Sequence, residues 1–369
     1  MSSKKKAQEL LAIASVEING KNPWDIQVHD ERFYRRVFAG GSLELGESYM
    51  DEWWDAKELD AFFDRIFSVE LNRKLITLPL LLHIARARLL NLQSTSRAFR
   101  VGERHYDVGN DLYMRMLDTR MVYTSGYWKD AITLNEAQEA KLDLVCRKLN
   151  VQRGQRVLDV GCGWGSFAKF AAEKYGAEVV GITVSKEQKK LAEENTKGLS
   201  VDIRLSDYRD VNEQFDHIVS LGMFEHVGYK NYREYMKVMR QNLKDGGLFL
   251  LHTIGSNRSV WTTDPWIEKY IFPGGMLPSV KQIGKSIEGV FVMEDWHNFG
   301  ADYDKTLMAW FKNFDIAWPE LKKKYGERFY RMWTYYLLAS AGSFRSRKNQ
   351  LWQIVLSKKG VRGGYQSVR

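Results

Sequence analysis

Hydrophobic and polar positions change their period along this chain, and the changes mark its elements. Over residues 7–70 the pattern is helical but broken. The aromatic pairs Phe33-Tyr34, Trp53-Trp54 and Phe62-Phe63 are separated by Gly40-Gly41 and Gly46. Short helices in a small, mainly helical N-terminal domain over 1–85 are the simplest account. An apolar stretch, Leu75 to Ala85, is interrupted by Pro79 and His83. After it come Arg86, Arg88, Arg97, Arg100 and Arg104 around Gln93-Ser-Thr-Ser, a basic linker over 86–105. From Tyr106 to the end, 106–369, the pattern is that of one α/β domain. Thr133-Leu-Asn-Glu136 fits a capping box opening a helix from Ala137 to Leu149. Strands are expected at 157–160, Glu178–Val184, Val201–Leu205, Asp216–Ser220 and Leu248–Leu251, the last after a Gly246-Gly247 turn. Ser185-Lys-Glu-Gln188 caps a second helix, and Tyr232 to Leu243 forms a third. Leu351–Leu356 forms a late strand. Strands alternating with helices predict a parallel, doubly wound, Rossmann-like sheet.

Composition narrows the picture. At 369 residues the chain has room for two domains, and 44% hydrophobic with 13% aromatic content excludes a disordered chain. The two cysteines, Cys146 and Cys162, point to a reducing compartment rather than a disulfide framework. No apolar run reaches the ~18 residues of a membrane span, and no secretory signal is expected from Met1-Ser-Ser-Lys-Lys-Lys. The formal charge is +9, from 55 basic and 46 acidic residues. It favours an anionic partner, either nucleic acid or an anionic lipid surface. The stretch 71–105 accordingly has two readings: a membrane-surface element with apolar anchors and flanking cations, or an ordinary interdomain connector.

The most informative segment is Val157-Leu-Asp-Val-Gly-Cys-Gly-Trp-Gly165, a strand running into three glycines and then a helix. No Gly-Lys-Ser/Thr follows, which excludes a P-loop phosphate cradle, and the spacing misses the dinucleotide pattern. It fits the S-adenosylmethionine site of a doubly wound methyltransferase, with the ligand across the carboxyl ends of the strands. A glycine turn that merely packs helix on sheet is the bland alternative. Candidate ligand groups stand after the strands. Asp159, Gly161 and Gly163 follow the first, Thr183 and Gln188 the second, and Asp207 the third. Gln188 stands where a carboxylate would often hold ribose hydroxyls. Asp207 is a candidate for the adenine amine, or simply a turn aspartate. Glu225 and His226 follow the fourth strand, His252 the fifth, and Tyr303 lies downstream. A metal centre would need three ligands of suitable geometry, which the sequence does not show, and none is expected.

Several stretches together resemble cyclopropane-fatty-acyl-phospholipid synthases. They are Tyr106-Asp-Val-Gly-Asn-Asp-Leu-Tyr113, Tyr123-Thr-Ser-Gly-Tyr-Trp128, the glycine loop, Gly222-Met-Phe-Glu-His-Val-Gly228, Leu251-His-Thr-Ile-Gly255 and Asn298-Phe-Gly-Ala-Asp-Tyr303. Asn22–His29 and Gly46–Met50 match as well, so the resemblance spans nearly the whole chain. It implies methylene transfer from S-adenosylmethionine to the cis double bond of an unsaturated phospholipid acyl chain. It also implies a carbocation deprotonated by bound bicarbonate. Tyr123 and Thr124 would contact the methionine part of the cofactor. Gly161, Gly163, Thr183 and Gln188 would line its site. Ser125, Glu225, His252, Ile254 and Tyr303 would surround the bicarbonate. The family usually carries cysteine at Ser125. A homodimer in the cytoplasm, held peripherally at the inner face of the membrane, completes the expectation.

The chemistry accounts for the residue types. An alkene is a weak nucleophile, so the donor methyl must be aimed at it closely. The resulting cation suits aromatic faces, with Tyr127, Trp128, Phe224 and Phe272 as candidates. Water must be excluded, and a base must remove one proton. A fatty-acyl C-methyltransferase leaving a methyl branch is the alternative within this chemistry. A nucleic-acid methyltransferase would carry an Asn/Asp-Pro-Pro-Tyr/Phe motif after the fourth strand, where this chain has Met-Phe-Glu-His. No nucleic-acid partner is therefore expected. A non-enzymatic relic of the fold is disfavoured by the intact glycines, Glu225, His252 and Tyr303.

Overall fold

A computed structural model describes residues 2–71, 84 and 109–369. The linker 86–105 with its arginines, all of Leu75–Ala85 except Ile84, and Tyr106 to Val108 lie outside the described residues. Two compact units emerge from the described residues. One draws on Met1–Leu90, Trp261–Pro273 and Tyr303–Asn349. The other draws on Asn91–Val260, Gly274–Asp302 and Gln350–Arg369.

The first unit is mainly helical, with short strands β1 (Gln27–Val28) and β2 (Trp54–Asp55) pairing antiparallel. Its centre is aromatic. Trp54 is fully buried against Phe33, Tyr49 and Phe62, with ring centroids 6.1, 5.2 and 5.3 Å away. The helix Glu327–Arg345 supplies Tyr335, which packs on Phe63 at 5.1 Å and on Trp266 at 4.5 Å. Gly342 lets that helix approach the helix Leu59–Ser68, since a Cβ there would lie 2.7 Å from the Asp60 carbonyl. Arg345 ties the ends together through Asp60 at 2.7 Å and Asp304 at 2.9 Å. The unit therefore differs from the contiguous domain over 1–85. Its early helices share their aromatic core with a ring supplied from the C-terminal third, Tyr335 against Tyr49 and Phe63.

The second unit is built on a seven-stranded sheet. Its strands are β3 (Arg156–Val160), β4 (Glu178–Thr183), β5 (Val201–Leu205), β6 (Phe215–Leu221), β7 (Leu243–Ser256), β8 (Val292–Asn298) and β9 (Asn349–Ser357). Their order is β5-β4-β3-β6-β7-β9-β8. The first five run parallel, and β8 pairs antiparallel with β9. Successive strand residues point to opposite faces. Val157, Val179, Val219 and Leu250 pack into one core with Leu142 and Phe167. Leu158, Val180, Ile218 and Phe249 pack into the other with Tyr235 and Met236. Both faces are covered, as doubly wound sheets require.

The caps form as the spacing predicts. Thr133 and Glu136 make a complete capping box for the helix Leu134–Leu149, and the Ser185 hydroxyl accepts the Gln188 N–H. The Gly246-Gly247 turn lies within β7, with Gly246 at φ +80° and Gly247 too close to the Asp216 carbonyl to carry a Cβ. Among the described residues no helix is long and apolar enough to cross a membrane.

Candidate active site

Because β3 to β7 are parallel, their carboxyl ends share one edge of the sheet, where doubly wound proteins bind ligands. The glycine loop leaves β3 there. Gly161, Gly163 and Gly165 have φ of +80°, +56° and +81°, a region side chains disfavour. Gly161 is packed, since a Cβ would lie 2.8 Å from Met223 Cγ. Gly163 faces open space, with nothing within 4 Å of a Cβ. The helix Ser166–Tyr175 begins directly after the loop, and its first-turn backbone N–H groups carry partial positive charge. After β4, the Thr183 hydroxyl donates to Gln188 Oε1 at 2.8 Å, which orients the amide. After β5, Asp207 is committed locally. The Arg209 N–H donates to its Oδ1 at 3.0 Å, and the Arg209 guanidinium pairs with its Oδ2 at 3.2 Å. Each oxygen keeps further acceptor capacity.

The segment carrying Tyr123, Thr124 and Ser125 is clamped to the helix Leu134–Leu149. Gln138 Nε2 donates to the Thr124 carbonyl at 2.7 Å, and Lys141 Nζ donates to the Thr124 hydroxyl at 2.8 Å. The Tyr127 N–H donates to the Ala137 carbonyl at 2.8 Å. The Thr124 methyl rests on Gly222 at the end of β6, where a Cβ would approach to 2.6 Å. The Tyr123 ring meets Tyr113 edge-on at 5.1 Å, and Tyr113 in turn packs on Trp164 of the glycine loop at 4.9 Å. Ser125 is fully buried, and its hydroxyl donates to the Gly126 carbonyl at 2.9 Å.

Asp159, at the end of β3, is buried with Oδ2 unpaired. Burial pushes its carboxyl up to about 7, opposed by the Lys141 charge. Burial likewise pulls the Lys141 ammonium down to about 7, opposed by Asp118 and Asp159.

Glu225 and His252 form the other half of the edge. Glu225 lies in the short 3-10 turn Phe224–His226 after β6. Its Oε1 accepts the Ile254 N–H at 2.7 Å, and its Oε2 is buried without a partner. Burial pushes this carboxyl up to about 7, with the Ile254 N–H working the other way. His252 and Ile254 are two residues apart on β7 and so share a face. The His252 ring is 1% exposed, and Gln353 Nε2 lies 3.4 Å from its Nδ1. A Gln353 N–H donating there puts the imidazole proton on Nε2, which is buried and unpaired. Burial, with the Lys141 and Lys148 charges, holds the ring neutral. Glu225 Oε2 and His252 Nε2 are thus two buried polar atoms without a hydrogen-bond partner, an exception to the rule that buried polar groups are satisfied.

Tyr303 is described in the helical unit, in the first turn of the helix Ala301–Tyr325. Its ring stacks on Phe344 at 4.6 Å. Of the aromatic candidates, Phe224 is fully buried and stacks on Tyr232 at 4.1 Å, while Tyr127 packs against Phe299 at 5.3 Å. Phe272 belongs to the helical unit, edge-on to Tyr336 at 5.8 Å. Among the described residues no group of three His, Cys, Asp or Glu could hold a metal.

Gln138, Lys141 and Gln353 hold site residues yet escape a motif reading. Each lies within a regular element rather than after a strand. For Lys141 a signal existed: it is four residues from both Ala137 and Val145, on the buried stripe of its helix.

The sheet order, the glycine loop and the groups after its strands define a doubly wound, S-adenosylmethionine-dependent methyltransferase. Within that class, residues 93–354 match the family described as mycolic acid cyclopropane synthetase. The chain is 56% identical over 364 residues to cyclopropane-fatty-acyl-phospholipid synthase of Escherichia coli (strain K12), covering 98% of this chain and 95% of that protein. It is 39% identical to a probable fatty acid methyltransferase of Pseudomonas putida, over 69% of this chain and 68% of that one. A crystal structure of mycolic acid cyclopropane synthase CmaA1 complexed with SAH and CTAB superimposes with a TM-score of 0.66. That match has 31% identity and covers 70% of this chain and 98% of that one. This chain belongs to the mycolic acid cyclopropane synthetase family.

Proposed function

We propose that this enzyme adds a methylene group from S-adenosylmethionine across the cis double bond of an unsaturated phospholipid acyl chain, forming a cyclopropane ring. The observation that carries this reading is the 56% identity to the E. coli synthase over 98% of the chain, helical unit included. When bound, S-adenosylmethionine supplies an electrophilic methyl group and bicarbonate a small base. The glycine loop, Tyr123, Thr124, Asp159, Thr183, Gln188 and Asp207 hold and aim the donor. Glu225 and His252 orient the anion, and the Ile254 N–H fixes the Glu225 carboxylate. The Ser125 hydroxyl, in place of the family's cysteine thiol, donates to the Gly126 carbonyl and keeps its acceptor capacity. Tyr303 enters this reading through the resemblance alone. The buried site keeps water from the cation. The methyl-branching alternative draws on the likeness to the P. putida protein.

Vesicles of unsaturated phospholipid incubated with methyl-labelled S-adenosylmethionine should take up label. Saturated vesicles and nucleic acid should not, and label entering nucleic acid instead would overturn the reading. The proposed enzyme works as a homodimer at the inner membrane surface. With a charge of +9, its binding to anionic vesicles should weaken as salt rises, because exposed charges are screened within about 8–10 Å at physiological ionic strength. Sedimentation with vesicles at low and high salt checks this, and salt-independent binding counts against it.

A further inference from the structure

We propose that Lys141 is a positioning residue for the amino-acid end of the methyl donor, holding the Thr124 hydroxyl so that its proton is presented to the donor's carboxylate. The inference rests on the cofactor reading above. Lysine is almost never fully buried without compensation, yet Lys141 is 0% exposed. Its Nζ donates to Thr124 Oγ1 at 2.8 Å. Once that oxygen accepts from an amine, the hydroxyl proton is a donor directed elsewhere. The other handles of Thr124 are fixed, its carbonyl by Gln138 and its methyl against Gly222. The rotor is therefore set by the protein before any ligand arrives.

The surrounding charge fits a zwitterion. Asp118 spends its two oxygens on the Val122 and Arg120 N–H groups at 2.8 and 2.9 Å, shaping the turn that leads into Thr124. Asp159 keeps Oδ2 buried and unpaired beside the glycine loop. A head group with one carboxylate and one ammonium complements a lysine-backed hydroxyl and an unpaired carboxylate. A nucleoside alone offers neither charge. Lys141 thus acts through Thr124 and touches no reacting atom.

The test compares two ligands that share the nucleoside and thioether: S-adenosylhomocysteine, which has the amino-acid end, and 5′-methylthioadenosine, which lacks it. By calorimetry, Lys141→Met should weaken S-adenosylhomocysteine roughly 10- to 100-fold, the range of one charge-assisted hydrogen bond. It should leave 5′-methylthioadenosine within about twofold. Thr124→Val should show the same selectivity, and the double variant should lose little more than either single one. Should Lys141→Met fail to fold, Lys141→Gln carries the same comparison, with a smaller selective loss because it keeps an N–H donor. Equal losses on both ligands, or none on S-adenosylhomocysteine, would overturn the proposal. Failure of the wild type to bind either ligand would instead overturn the cofactor reading.

Discussion

Glu225→Gln should lower turnover roughly 10²- to 10⁴-fold, the range expected when proton transfer loses its catalytic group, and leave S-adenosylmethionine affinity nearly intact. The carboxylate is anchored by the Ile254 N–H through Oε1 and keeps Oε2 unpaired. Gln preserves the first contact and removes the charge proposed to orient the anion. In the proposed reaction the donor is held by the glycine loop and the Thr124 segment, which this change does not touch. Depleting bicarbonate should lower wild-type turnover, and re-adding it should restore it. Full turnover after rigorous depletion would make Glu225 itself the base.

The same substitution should move stability with the opposite sign. Burial raises the Glu225 carboxyl to about 7 from its ordinary 4.5. The folded protein therefore favours the protonated form. That contribution is fully present below about 4.5 and is lost as pH rises through about 7. Gln has no proton to lose. The variant should melt like the wild type near pH 4.5 and be the more stable of the two at pH 8, by no more than about 3 kcal/mol. Thermal melts across that range check the sign, and a variant less stable at pH 8 would contradict it.

Gly163→Val should abolish measurable S-adenosylmethionine binding while the protein stays folded. Nothing beyond its chain neighbours lies within 4 Å of a Cβ at this position, so the branched side chain projects into open space beside the loop, where the proposed ligand must approach. Its backbone, at φ +56°, would be strained by about 1–3 kcal/mol, and that strain needs its own control. Gly154→Val supplies one. Gly154 has φ +77° and equally open surroundings, but it lies in the turn before β3, at the far end of that strand. It should share the stability loss and bind the donor normally. Calorimetry on both variants separates the effects. Normal affinity in a folded Gly163→Val protein would remove the loop from the site.

Much of this was legible in the sequence, for identifiable reasons. The strands β3 to β6 and the caps at Thr133 and Ser185 are local signals, carried by apolar strand runs and by side chains bonding backbone three residues on. β8 was not legible. Val292-Met-Glu-Asp-Trp-His-Asn298 lies at the sheet edge, with Val292 and Met293 exposed and the charged Glu294 and Asp295 directly after them. The makeup of the helical unit was hidden too, because Tyr335 reaches Phe63 and Trp266 only in three dimensions. In the site, glycine spacing and strand ends pointed to Asp159, Thr183, Gln188, Glu225 and His252. Which atoms they leave unpaired depends on partners such as Gln353 and Lys141. Those sit inside elements, where a polar residue looks like any other interruption of an apolar face.

The expected product is a cyclopropane ring on a phospholipid acyl chain. The most direct test is NMR of the lipid recovered after incubating unsaturated phospholipid vesicles with S-adenosylmethionine and the enzyme. Cyclopropane ring protons, with matching loss of olefinic signal, are the expected result. A methyl doublet from a branched chain, or unchanged olefinic signal with an active, donor-binding enzyme, would contradict it.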